Sequence, residues 1–225
     1  MSLQTEGVNY LSLASAPATG NTVHVNVRFS TITATPTRWH FVYSVSDIHF
    51  GKSFSNQTLY FSATPNTNFF GSQTINNNQW YAVTWTWDGT TDRLYINGVL
   101  EISTTAINTG SRLTIDLGRI SSSLSDIVNF DGLKIWQAVL TPEEIRNEIH
   151  SIKPKRWQDL WAWLPCNNGA AIGADYSGNG RSFTQTGTVI ETSPSSTAWG
   201  DSPIVIPQAN TSLIYYQSPL MLLAC

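Results

Sequence analysis

Charge is what this sequence has least of. Lys, Arg, Asp and Glu make up 12% of its 225 residues, about half the share usual in a soluble domain. They leave a formal net charge of −3 and no basic block, so phosphate neutralisation, and with it nucleic-acid binding, is disfavoured. Cysteine is as scarce: Cys166 and Cys225 could form one pair but no disulfide framework, and they fix no compartment. Long apolar runs are missing too. A bilayer span needs roughly 18–20 apolar residues, whereas the best stretch, Leu213 to Cys225, is broken by Gln217, Ser218 and Pro219. Met1 to Tyr10 has neither the basic start nor the apolar centre of an export signal. The expectation is a chain soluble as made, with no membrane insertion.

Signatures of catalysis are also absent. His24, His40, His49 and His150 are dispersed and none forms a metal-binding pair at helical spacing; His40, inside a strand pattern, reads as structural. There is no Gly-rich phosphate loop, nucleophile elbow or Cys–His pairing.

What is present is neutral and polar, or apolar and aromatic. Hydrophobic residues reach 41% and aromatics 12%, while 25 Ser, 26 Thr and 17 Asn must carry solubility; this composition argues against disorder. The dominant period is two. Val23, Val25, Val27 and Phe29 alternate with polar residues, as do Trp39, Phe41, Tyr43 and Val45, then Tyr81, Val83, Trp85 and Trp87, then Leu113, Ile115 and Leu117, each run predicting a strand with one buried face. Arg93 to Ile96 and Val99 to Ile102 flank Asn97-Gly98, the dipeptide best suited to positive φ at both centres of a hairpin turn. Asp88 and Asp92 bracket a further turn, which accounts for both.

A single segment reads as helix. Thr141 caps it, Pro142 fits the first position, Glu144 completes a capping box, and Leu140 with Ile145 forms a hydrophobic staple. The helix runs to about Ile149, and Ile145 and Ile149 would dock it on a sheet.

The order of these segments carries a resemblance. Asn78 to Asp88, Leu94 to Gly98, Leu117-Gly118, Asp131 to Trp136 and Leu140 to Ile145, preceded by Asn9 to Leu13, resemble the laminin-G-like, concanavalin A-like lectin/glucanase jelly rolls. That resemblance implies an all-β, two-sheet antiparallel sandwich with one short helix. In such proteins an aromatic strand and an Asp-x-Ser-Gly-Asn-Gly segment normally precede the Tyr strand. Here Trp161 to Leu164 and Asp175 to Gly180 come after the helix. Either the chain is circularly permuted or a second, truncated repeat begins there; too few residues follow Trp161 for another full sandwich, so the expectation is a permutation, with residues 1–190 forming one sandwich that 160–190 completes.

Pro194, Pro203, Pro207 and Pro219 punctuate the remainder of the chain, so residues 191–225 read as an extended arm rather than central strands. Two roles compete for it: wrapping its own sandwich, or adding to a neighbouring subunit through Leu213, Tyr215, Tyr216, Leu220, Leu222 and Leu223.

For function, laminarinase-type glycosidases need two carboxylates about one sugar bond, and no strand offers Glu-x-Asp-x-Glu or Glu-x-x-x-Glu. Exposed aromatics stack on sugars. Trp161 and Trp163 share one face by alternation, opposite Leu160, Ala162 and Leu164, and are the candidates for that role. The resemblance also implies a calcium ion held at the rim, with Asp131, Asp126 and Asn129 as candidates, though no cofactor is required. The expected role is a non-catalytic binding and assembly module on the surface of a viral particle, with neighbouring subunits and cell-surface glycans as partners. A stand-alone lectin, extracellular or cytoplasmic, is the alternative, and a laminarinase-type glycoside hydrolase is the third reading.

Overall fold

Alternation becomes pairing in the computed structural model, which describes residues 2–7, 9–17, 20–30, 40–45, 48–53, 56–63, 67–105, 114–118, 125–166, 172–188 and 190–192. The strands are β1 (Ser2–Gly7), β2 (Tyr10–Leu13), β3 (Asn21–Phe29), β4 (His40–Val45), β5 (Ile48–Lys52), β6 (Thr58–Ala63), β7 (Thr67–Thr74) and β8 (Trp80–Trp87). Then come β9 (Asp92–Ile96), β10 (Val99–Thr104), β11 (Ile115–Leu117) and β12 (Ser125–Trp136), the helix α1 (Pro142–Glu148), and β13 (Leu160–Leu164), β14 (Thr184–Thr186) and β15 (Ile190–Thr192).

Two antiparallel sheets result. The first runs β10-β9-β8-β3-β12-β1-β15, with β13 also on β12. β1 covers the early half of β12, Leu3 opposite Phe130, and β13 the late half, Leu133 opposite Leu164. The second runs β14-β2-β11-β4-β5-β6-β7. The apolar positions of β3 and of β8, Trp85 and Trp87 among them, join Leu11, Phe50, Leu59, Phe61 and Leu117 of the facing sheet in one buried cluster. Phe61 and Trp85 stack across it at 6.2 Å. Each large side chain so buried contributes roughly 1.5–3 kcal/mol, which makes this layer the main source of stability.

Local signals act as the residue types require. Asn97 and Gly98 take φ of 49° and 78° between β9 and β10, the pair of positive values that matches the twist of a two-residue hairpin. The Asn97 side chain also accepts the Ala82 N–H at 2.9 Å, fastening the turn to β8. At α1 the Thr141 hydroxyl accepts from the Glu144 N–H at 3.3 Å while the Glu144 carboxylate accepts from the Thr141 N–H at 2.8 Å.

The outer face of the first sheet is covered rather than wet, which simple alternation does not foresee. Thr22, His24, Asn26 and Lys134 are buried there. Over this sheet sits a second apolar cluster of Tyr95, Trp136, Leu140, Ile145 and Leu160. Lys134 and Glu148 form an ion pair at 2.7 Å with both side chains essentially inaccessible. The Lys134 Nζ also donates to the Glu148 and Ser151 carbonyls, and the second Glu148 oxygen accepts the Lys155 and Arg156 N–H groups, each at 2.8 Å. His24 donates or accepts through Nδ1 with the Thr84 hydroxyl at 2.8 Å; burial, then the nearby Lys134 ammonium, hold it well below its ordinary pKa. A bulge in β12 sets Lys134 in place: Asp131 faces Asn26 and Lys134 faces His24, so β12 spends one residue more than β3. Gly132 absorbs it at φ +60°, where an added Cβ would lie 3.3 Å from the Ile152 Cα.

Of the expected arm, 191 and 192 are described, in β15, which pairs with β1. Leu213, Tyr215, Tyr216, Leu220, Leu222 and Leu223 lie outside the described residues, as do Trp39 and Leu113.

Removing one member of a buried pair strands the other. Glu148→Ala strands the Lys134 ammonium and two N–H donors, and is expected to cost about 3–5 kcal/mol in urea unfolding. Lys134→Met leaves a carboxylate that still accepts two N–H groups and is expected to cost less; the reverse order would refute this account.

Candidate functional site

The strand carrying the candidate tryptophans is bulged. Ala162 faces Ile135, yet the next pair is Leu160 with Trp136, so Trp161 has no residue opposite and the alternation of β13 is reset there. The expectation that Trp161 and Trp163 share a face is therefore corrected. Trp161 joins Ala162 and Leu164 in the main core cluster, whereas Trp163 packs beside Leu160 against the second cluster. Trp161 is 7% exposed and Trp163 is half-buried.

One edge of β13 pairs with β12. The other is closed by the loop Asp175 to Arg181, whose polar side chains stand in for a neighbouring strand. Asp175 Oδ1 accepts the Trp163 N–H at 3.0 Å and the Ser177 N–H at 2.9 Å, and its Oδ2 accepts the Arg181 N–H at 2.8 Å. The Tyr176 N–H donates to the Trp163 carbonyl at 2.8 Å. At the Trp161 carbonyl, Asn179 Nδ2 and Arg181 Nη1 donate at 3.2 and 2.8 Å. Burial would raise the Asp175 pKa, but the Trp163, Arg181 and Ser177 N–H groups outweigh it and hold the carboxyl below the ordinary value.

Two surfaces flank this loop. On one side the Arg181 guanidinium lies 4.6 Å from the Trp161 ring centre, above a cleft of about 260 Å³ lined by Gln137, Asp159, Leu160, Trp161, Asn179 and Arg181. On the other is a row of rings. Trp163 makes edge contacts with Trp157 at 5.7 Å and with Tyr176 at 6.1 Å. Trp157 is 47% and Tyr176 40% exposed, and the Lys153 ammonium lies 5.7 Å from the Trp157 ring centre. Neither Trp157 nor Tyr176 stood out in the sequence, because a lone ring in a loop has no period to mark it.

The cleft holds one carboxylate among its lining residues, Asp159, and that group accepts from Arg156 Nη2 at 2.9 Å. The Asp88 carboxylate accepts from the Thr90 and Thr91 N–H groups and from Arg93, and Asp92 accepts from the Trp85 indole at 2.7 Å, so turn and core duties account for both.

Two of the three calcium candidates lie among the described side chains. Asn129 and Asp131 project from the same face of β12, opposite the core residues Val128 and Phe130. The Asn129 oxygen accepts from Arg28 Nη2 at 3.4 Å, and Asp131 acts electrostatically on the Lys134 ammonium. The pair offers one carboxylate and one amide oxygen, fewer oxygens than a calcium ion takes. The Asp126 side chain lies outside the described residues. Among the described residues no group of three or more His, Cys, Asp or Glu is arranged to hold a metal.

Two facing antiparallel sheets, one capped helix and an aromatic rim define a lectin-type β-sandwich. The chain belongs to the concanavalin A-like lectin/glucanases superfamily, which it matches over residues 5–146. Among curated proteins none matches. A solved structure from Bacteroides ovatus, of a protein described as a candidate carbohydrate binding protein, is 12% identical, with TM-score 0.60 over 83% of this chain and 60% of that one. The heptameric SAP-like pentraxin of Limulus polyphemus is 16% identical, with TM-score 0.54 over 84% and 94% of the two chains. Trypanosoma rangeli sialidase is 11% identical, with TM-score 0.51 over 65% of this chain and 26% of the enzyme. At these identities the likeness is one of fold.

Acid is expected to loosen the Asp175 loop. Its folded pKa is lowered, so its contribution is complete above the unfolded value of about 3.9 and is lost as pH falls through the folded value. Relative to the intrinsic exchange rate, amide protection at residues 160–166 and 172–181 should fall below about pH 4, and Asp175→Asn should remove that acid step; a step unchanged in the variant would refute the assignment.

Proposed function

We propose that this chain is a non-catalytic carbohydrate-binding module that meets its glycan at the Trp157–Trp163–Tyr176 row. The carrying observation is three rings in edge contact, the outer two about half exposed, beside a loop fixed to the sandwich. Sugars present C–H faces that aromatic rings cover, while neighbouring Asn and Gln groups serve hydroxyls. A single carboxylate in the cleft, already held by arginine, supports recognition over hydrolysis, which needs two. The reading takes 1–190 as one permuted unit, supported by β13 adding to β12 and β14 adding to β2.

At a finer level the module belongs on an exposed surface of a viral particle, with the arm joining it to neighbouring subunits. The low share of charge and the proline-broken apolar segment after residue 192 support this. A chain cut after Thr192 keeps β15 and should lose assembly in a light-scattering size measurement; equal sizes would leave the stand-alone lectin.

On a glycan array followed by calorimetry, the full chain should bind. Trp157→Ala and Tyr176→Ala should each weaken binding by roughly three- to tenfold, and the double variant more. Absence of any glycan ligand, or a double variant that binds as tightly, would overturn the reading.

A further inference from the structure

We infer that the cleft at Arg181 receives the carboxylate of an acidic pyranose, an inference that rests on the carbohydrate-binding reading above and gives it a sugar class. Arg181 is held rigidly: its guanidinium lies over the Trp161 ring and its Nη1 donates to the Trp161 carbonyl at 2.8 Å. Its Nε and Nη2 meet no acceptor among the described residues. Neither nearby acid pairs with it. Asp175 accepts the main-chain N–H of Arg181, and Asp159, which shares the cleft, is turned to Arg156. A fixed guanidinium edge with two free donors matches a carboxylate, which accepts two parallel hydrogen bonds.

The rest of the lining suits a ring bearing that carboxylate. Asn179 spends its Nδ2 on the Leu160 and Trp161 carbonyls and on Ser177, leaving Oδ1 to accept from a hydroxyl. The Gln137 side chain is exposed and uncommitted among the described residues. The space of about 260 Å³ falls just below the roughly 300–1,000 Å³ of pockets for larger ligands, which fits one sugar unit. The ring row carries the Lys153 ammonium, 5.7 Å from the Trp157 ring centre, as a point charge without the paired donors of a guanidinium, so the cleft is the surface that selects the acid.

The test is calorimetric titration of the full chain with glucuronate, galacturonate and N-acetylneuraminate, each against its own methyl ester. At least one acid should bind about tenfold or more tighter than its ester, and Arg181→Gln should bring the two together. The acid-to-ester ratio of the unaltered chain needs no variant to fold. If acids and esters bind alike, or the preference survives Arg181→Gln, the acid inference fails while glycan binding stands. If no sugar of either kind binds here and the array is also blank, both readings fail.

Discussion

One carboxylate joins three parts of this molecule. Glu148, at the end of α1, receives the Lys134 ammonium from the sheet with one oxygen and the N–H groups of Lys155 and Arg156 with the other. Without it the helix would lose its tie to the outer face of the first sheet, and the segment that presents Trp157 would lose its anchor. Both charges are out of water, where a pair repays its desolvation only when the remaining donors and acceptors are satisfied. The two carbonyls on the Lys134 Nζ and the two N–H groups on Glu148 supply that satisfaction. Thus the exposed ring of Trp157 rests on a buried polar joint rather than on apolar packing alone.

A second joint closes the far edge of β13. An unpaired strand edge invites pairing with another chain. Here the edge is met by a carboxylate, an amide and a guanidinium from one short loop instead of by a strand. The bulge at Trp161 is compatible with that solution, since Trp161 turns its ring to the core and its carbonyl collects the Asn179 and Arg181 donors. A similar device serves the opposite sheet, where Glu101 of β10 accepts the Ser72 and Gln73 N–H groups of edge strand β7.

Legibility in the sequence depends on how local each signal is. The Thr141–Glu144 capping box and the Asn97-Gly98 turn involve residues a few positions apart, and the structure forms both. The inward faces of β3 and β8 come from strict alternation. The bulge at Trp161 was illegible because an extra residue exists only relative to a partner strand, and the sequence of β13 alternates without a break. The Lys134–Glu148 joint links a strand to a helix fourteen positions on, and nothing local distinguishes these two charges from solvated ones. Likewise the Asp175 to Gly180 motif was visible while the strand edge it covers was not. Of the candidate site, then, the motif and the strand were legible and the exposed rings were not.

Scarcity of charge decides what chemistry the rim retains. Asp88 holds a turn, Asp92 an indole, Glu101 an edge strand, Glu144 a helix start, Glu148 the helix end and Asp175 a loop. In each case the acid accepts N–H groups that folding would otherwise leave without partners, and such bonds are worth more when the acceptor is charged. For Asp88, Glu144 and Asp175 these hydrogen bonds hold the carboxyl below its ordinary pKa and make each a poor proton donor. The side chains left open beside the cleft are rings, amides and one guanidinium. These groups cover, orient and neutralise a ligand, which is the physical support for the recognition proposed for this surface.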